Sequence, residues 1–307
     1  MGRVAAIQMT SGHDVAENLG AARVLLRAAK DAGAGVACLP ENFCFMGLKD
    51  ADKLGIAEPD GRGPVQGFLS ETARELSMWI LGGTIVLRGE GERRVTNTSL
   101  LFDSAGKRVA RYDKIHLFDV AIPGRDEQYR ESNHVTPGRD LVLADTPVGR
   151  LGLSVCYDMR FPELYRELVA RGAEWLSMPA AFTVPTGRAH WETLLRARAI
   201  ENLCYVVAPA QVGTHSSGRE TYGDSLIVDY WGQVLARLPK GSGVITADLD
   251  LAKVAETRAR FPVLDNRRLG APAALNASSG SGASAAAPVS QASAAPAAPA
   301  RKRAVTT

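Results

Sequence analysis

Hydrophobic and polar positions alternate along the chain in two rhythms. Val4 to Met9 is an apolar run of strand length. Asp14, with Glu17 three residues on, reads as a capping box, and Val15, Leu19, Ala22, Leu25, Leu26 and Ala29 then recur at helical spacing until Gly33 and Gly35. Val36 to Leu39 predicts a short strand, 45–64 a loop, Gln66 to Ser77 an amphipathic helix and Trp79 to Leu87 a strand. Thr96–Asp103 and Arg108–Asp113 predict a hairpin turning at Ser104-Ala105-Gly106. Residues 118–147 read as a long irregular stretch, of the kind that in a compact domain is functional or disordered. Gly149 to Val155 predicts a buried strand, and Asp158 to Arg171 a helix with Phe161, Leu164 and Leu168 on one face. Beyond it the pattern predicts a strand at Trp175–Pro179, a helix over Arg188–Leu203 and strands at Cys204–Gln211 and Ser225–Val228. A turn at Trp231-Gly232 leads to Val234–Ala236, Gly243–Leu249 is the last strand, and Leu251–Arg260 a short helix.

Strands and helices alternating in this way predict an α/β fold, while leaving one doubly wound sheet and two facing sheets as alternatives. The expected domain is 1–270. Residues 271–300 are almost entirely Ala, Ser, Gly and Pro, with too little apolar side chain to offset the entropy of ordering, so 271–307 is expected to be a disordered tail. Arg301, Lys302 and Arg303 are its only charges, and without them the basic and acidic counts are equal at 33. A neutral body carries no footprint for nucleic acid or for a membrane surface. The four cysteines, Cys38, Cys44, Cys156 and Cys204, fit neither a zinc site nor a dense disulfide framework; reduced thiols in the cytoplasm are expected. No apolar run approaches membrane-spanning length, and the first residues lack the apolar core of a signal peptide. His116, His134, His190 and His215 show no metal-ligand spacing.

The candidate chemistry centres on Cys156. It follows the predicted strand directly and precedes the predicted helix, so a sharp turn would lift its side chain out of the sheet. Backbone N–H groups at such a turn favour a thiolate and can hold an oxyanion. A lone Cys is more often a small buried hydrophobe; the surroundings of Cys156 argue otherwise. Three segments, Leu39-Pro40-Glu41-Asn42-Phe43, Arg111-Tyr112-Asp113-Lys114-Ile115-His116-Leu117-Phe118-Asp119 and Ser154-Val155-Cys156-Tyr157-Asp158-Met159-Arg160-Phe161-Pro162-Glu163, place a Glu, a Lys and a Cys each at the end of a predicted strand.

Together these segments resemble the carbon–nitrogen hydrolase (nitrilase) superfamily, over about Val4 to Leu269. The resemblance implies a four-layer α-β-β-α sandwich, no cofactor and no metal. It implies hydrolysis of a small amide by water through a Cys156 thioester. In that scheme Glu41 is the base, and Lys114 with the backbone N–H of Tyr157 polarises the carbonyl. Glu131 matches a second family glutamate that holds the lysine; its alternative is a loop carboxylate paired with Arg130 or Arg139. Arg160, four residues past Cys156, would share a helix face with it and grip a substrate carboxylate, or else pair with Asp158 or Glu163. Phe182 would line the pocket and Thr186 would meet the carboxylate end, with Arg188 as a second candidate for that contact. The motifs lean toward amidases of deaminated glutathione, then toward those of α-keto-acid ω-amides, with a nitrilase, an N-carbamoyl hydrolase or a non-catalytic binding protein as alternatives. A homodimer or larger even-numbered oligomer is implied by the same resemblance.

Overall fold

The computed structural model describes residues 2–89, 94–124 and 126–269. The chain divides into a compact unit, Met1–Asp265, and Asn266–Thr307. The expected tail, 271–307, lies outside the described residues.

Two sheets form the compact unit. The first begins with β1 (Gly2–Gln8), α1 (Val15–Asp31), β2 (Val36–Cys38), α2 (Pro64–Leu76) and β3 (Trp79–Leu81). It continues with β4 (Ile85–Arg88), β5 (Val95–Phe102) and β6 (Arg108–Asp113). A two-stranded ribbon, β7 (Asp119–Ala121) with β8 (Gln128–Arg130), follows. The second sheet draws on β9 (Leu143–Thr146), β10 (Gly149–Leu153), α3 (Pro162–Ala170), β11 (Trp175–Ser177), α4 (Val184–Asn202) and β12 (Tyr205–Ala208). Another ribbon, β13 (Val212–Thr214) with β14 (Glu220–Tyr222), precedes β15 (Ser225–Val228) and β16 (Val234–Leu238). Finally β17 (Gly243–Leu249) returns to pair with β1, and α5 (Leu251–Arg260) closes the unit.

The first sheet runs β17-β1-β2-β3-β5-β4, with β6 also on β5, and the second β16-β15-β12-β11-β10-β9. β1, β2 and β3 are parallel, as are β10, β11 and β12, so the strand–helix–strand units cross over as α/β chemistry requires. Alternation along β1 shows the layering. Val4 and Ala6 face the core between the sheets, whereas Ala5 and Ile7 face the core beneath α1 and α2. With α3 and α4 covering the second sheet, the order of layers is helix, sheet, sheet, helix.

Several expectations change in detail. The predicted strand Trp79–Leu87 is two strands, broken at Gly82-Gly83-Thr84. Gly83 takes a φ of +44°, and a Cβ there would stand 2.0 Å from the Pro40 carbonyl oxygen, so the backbone passes where only glycine fits. The 45–64 loop contains a 3₁₀ turn, Asp50–Leu54. The stretch 118–147 is not irregular: it holds the β7–β8 ribbon, a 3₁₀ turn at Glu131–Asn133 and β9. The predicted helix Asp158–Arg171 is a 3₁₀ turn, Cys156–Arg160, followed by α3. Pro162 forces the break, because the residue before proline is driven from the helical region; Phe161 sits at φ −111°, ψ 89°. Helix α4 starts at Val184, four residues before the expected Arg188, with Pro185 in its first turn.

Candidate active site

Each of the three motifs is fixed by its own backbone contacts before its side chain is aimed. Glu41 follows β2, where Gly83 presses on Pro40. Gln211 Nε2 donates to the Glu41 carbonyl at 3.1 Å, and Asn42 N–H to Thr84 Oγ1 at 2.8 Å. Lys114 follows β6 and is held from both sides, its N–H donating to Asn97 O and its carbonyl accepting from Gly138 N–H, each at 2.9 Å. Cys156 opens the 3₁₀ turn with φ +48°, a left-handed conformation costing a β-carbon residue of order 1–3 kcal/mol. Its N–H donates to Pro179 O at 2.9 Å.

Asp158 ties the cysteine turn to the lysine strand. Its Oδ2 accepts from Val155 N–H at 2.8 Å and from Tyr112 O–H at 2.7 Å. Oδ1 accepts from His116 N–H at 3.0 Å and lies 2.7 Å from His116 Nδ1. Tyr112 and His116 stand two residues either side of Lys114, so one fully buried carboxylate sets the spacing of two motifs.

The side chains then meet in a single cavity lined by Glu41, Lys114, Glu131, Cys156, Tyr157 and Arg160, and also by Phe182 and Thr186. Lys114 Nζ donates to Glu41 Oε1 and to Glu131 Oε2, both at 2.9 Å. Asn97 Nδ2 bridges the same two carboxylates at 3.2 and 3.1 Å. Glu41 Oε2 accepts from Ala181 N–H at 3.0 Å, and Glu131 Oε2 also accepts from Phe118 N–H at 2.8 Å. The Cys156 thiol shares this cavity with Glu41, whose charge acts on it.

Electrostatics follow from burial and these partners. Burial alone would push Lys114 down, but Glu131 and Glu41 more than offset it and hold the ammonium well above its ordinary range. Burial would raise Glu131; the charge and hydrogen bond of Lys114, with Phe118 N–H, bring it below the ordinary carboxylate value. Cys156 is pushed well above the ordinary thiol range, first by burial and then by Glu41, with Lys114 opposing. The environment of Cys156 thus favours the neutral thiol, next to a carboxylate that can take its proton, which outweighs the pull of the turn's N–H groups toward a thiolate.

Glu131 pairs with Lys114 rather than with Arg130 or Arg139. Arg160 has no carboxylate partner among the described residues, since Asp158 is engaged elsewhere. Its guanidinium lies 5.7 Å over the Tyr157 ring and 5.4 Å over the Phe182 ring, and 3.3 Å from His190 Nδ1. It reaches the cavity from the end of a 3₁₀ turn, not from the shared α-helical face expected of it. Thr186 lies in the first turn of α4, its Oγ1 2.8 Å from Thr183 Oγ1. Arg188 is exposed and lines no part of this cavity. Sequence reasoning missed Asn97, Lys53 and Arg219, of which the last two also line the cavity. For Asn97 a signal existed: an Asn, depleted in strands, within the otherwise strand-forming run Val95-Thr96-Asn97-Thr98.

Residues 3–259 match the family described as carbon-nitrogen hydrolase. The chain belongs to the carbon–nitrogen hydrolase family. It is 45% identical over 269 residues to the human protein named deaminated glutathione amidase, covering 86% of this chain and 82% of that one. The Yersinia enterocolitica protein of the same name is 42% identical over 266 residues, with 86% and 92% covered. The solved structure of the Caenorhabditis elegans NitFhit protein superposes with a TM-score of 0.79 at 41% identity, over 87% of this chain and 66% of that one. The fold, the family and a carbon–nitrogen hydrolase activity are thus established together, and the four-layer sandwich is the family's architecture. No described helix of this hydrolase is long and apolar enough to cross a membrane.

Proposed function

We propose that this hydrolase cleaves the amide of deaminated glutathione, releasing a dicarboxylic keto acid and cysteinylglycine. The observation carrying the reading is the cavity in which a neutral Cys156 thiol meets Glu41 while Lys114 is shared between Glu41 and Glu131. Glu41 takes the thiol proton as Cys156 Sγ attacks the amide carbon. Lys114 Nζ and the Tyr157 N–H face the oxygen as it becomes negative. The carbon–nitrogen bond then breaks, Glu41 returns the proton to the leaving amine, and a thioester remains. Water, deprotonated by Glu41, attacks that thioester, freeing the acid and restoring the thiol. Glu131 keeps Lys114 charged and oriented, and Asn97 Nδ2, donating to both carboxylates, fixes their positions around it. Arg160, unpaired and backed by two rings, grips the acyl carboxylate, with Thr186 and Phe182 completing that end.

Turnover of deaminated glutathione, followed by release of cysteinylglycine, tests the reading. Cys156→Ala is expected to abolish it with the fold intact, and intact-mass spectrometry during turnover should find the acyl group on Cys156. An adduct on Cys38, Cys44 or Cys204, or activity retained in the Ala variant, would overturn it. We extend the reading to a cytoplasmic homodimer or larger even-numbered oligomer. All four cysteines being free supports a reducing compartment, and sedimentation at micromolar concentration checks the assembly.

A further inference from the structure

A second cavity, of about 120 Å³ against about 70 Å³ for the first, adjoins the catalytic one. The two share Asn42, Asp50, Lys53, Tyr129 and Arg219. Arg160, Phe182 and Thr186 line the first alone, whereas Phe45, Met46 and Val135 line the second alone.

The shared wall carries two cations, Arg219 and Lys53, and one carboxylate, Asp50. Arg219, which leads into β14, lies 5.2 Å over the Tyr129 ring and donates from Nη2 to Ala181 O at 3.0 Å. Its Nε–H is buried and has no acceptor. A buried donor without a partner is uncommon enough to need an explanation, and a guanidinium stacked on a ring is held in place before any ligand arrives. Lys53, in the turn Asp50–Leu54, forms no ion pair among the described residues, and neither cation pairs with Asp50, the carboxylate on the same wall.

An amide has two sides. If Arg160 holds the acyl end in the first cavity with the carbonyl carbon at Cys156, the nitrogen substituent must extend elsewhere, and the adjoining cavity is the space open to it. A simple ω-amide has only hydrogen on that nitrogen. Deaminated glutathione has cysteinylglycine, which ends in a carboxylate. We propose that the second cavity is the leaving-group subsite, where Arg219 and Lys53 hold the terminal carboxylate of the departing amine. This inference rests on the reading of the protein as an amidase of deaminated glutathione and assigns the two ends of that substrate to the two cavities. Specificity for the substituted amide then comes from residues that take no part in the bond cleavage.

Three amides with one acyl group test it: deaminated glutathione, the same compound with its terminal carboxylate converted to a carboxamide, and 2-oxoglutaramate, which releases ammonia. The wild-type enzyme is expected to prefer the free acid over the carboxamide in kcat/KM by about 10- to 100-fold, the loss expected for one charge-assisted hydrogen bond. Arg219→Met should lower the ratio of deaminated glutathione to 2-oxoglutaramate by a similar factor, and Arg219→Lys should recover part of it. Lys53→Met, on a different segment, should lower the same ratio, and the wild-type comparison needs no variant to fold. The subsite is overturned if the wild type treats acid and carboxamide alike, or if both Met variants depress all three substrates equally. Turnover of 2-oxoglutaramate but not of deaminated glutathione also overturns it, while leaving amide cleavage at Cys156 standing. Turnover of none of the three overturns the functional reading itself.

Discussion

Glu131→Gln removes one of the two carboxylates around a buried ammonium without removing its volume. Lys114 is 2% exposed and sits 2.9 Å from each partner, so solvent screens little of either contact. A hydrogen bond to a charged group contributes about 1.5–3 kcal/mol and a neutral one about 0.5–1.5, so the exchange alone costs about 1–2 kcal/mol. Losing a buried partner altogether costs about 3–5 kcal/mol. Glu41 still pairs with Lys114, so the expected loss of stability is about 2–4 kcal/mol, or a fall in Tm of roughly 4–7 °C for a unit of this size. Because the folded Glu131 titrates below its unfolded value, its contribution is present above the unfolded pKa and lost as pH falls through the folded one. The gap between wild type and variant should therefore be full at pH 7 and shrink below pH ~4.3. Activity should fall further than stability. With Glu131 neutral, Glu41 becomes the sole counter-ion of Lys114 and a poorer proton acceptor for Cys156, at an expected cost of about 10²-fold or more in kcat. Scanning calorimetry at pH 7 and pH 4 with steady-state kinetics at pH 7 reads both effects. A variant matching wild type in Tm within ~1 °C and in kcat within about twofold would refute the role assigned to Glu131.

Two more outcomes follow from the same site. Alkylation of Cys156 by iodoacetamide should rise about tenfold per pH unit from pH 6 through pH 9, because burial and Glu41 keep the thiol protonated there; a plateau below pH 7 would mean a preformed thiolate. Arg160→Met should lower kcat/KM on deaminated glutathione by roughly 10- to 100-fold and leave the corresponding acyl ester nearly as slow as in wild type, whereas an equal loss on both would make Arg160 structural.

Helices and strands with their own apolar period could be read from the chain. α1, with Asp14 accepting from Glu17 N–H at 2.9 Å, and the β5–β6 hairpin are found where the pattern put them. The failures have local causes. Trp79–Leu87 is apolar on either side of Gly82-Gly83-Thr84, and the two glycines bend it to let Pro40 approach, which is a tertiary demand with no periodic signature. The β7–β8 and β13–β14 ribbons are three-residue strands, too short for alternation to register. Helical spacing continued through Pro162 because Phe161, Leu164 and Leu168 are spaced like one face, while the proline stops the preceding turn at Arg160.

The site divides along the same line. Glu41, Lys114 and Cys156 could be found because each sits within a few residues of a strand end, where a short motif fixes both its environment and its direction. Residues that meet them by folding alone could not. Asn97 reaches the two carboxylates from the strand beside β6, and Arg219 enters on a ribbon more than sixty residues after the cysteine, so neither belongs to a motif. Arg160 shows the intermediate case. Its spacing from Cys156 suggests a shared helical face, but the turn carries it to the cavity as a 3₁₀ segment, where Tyr157 and Phe182 rather than an acidic neighbour receive it. What sequence motifs locate in this fold is the bond-breaking chemistry, which every amide shares. What would distinguish one amide from another, on the reading proposed above, is the set of cations lining the two cavities, Arg160, Arg219 and Lys53, which come together only in the folded chain.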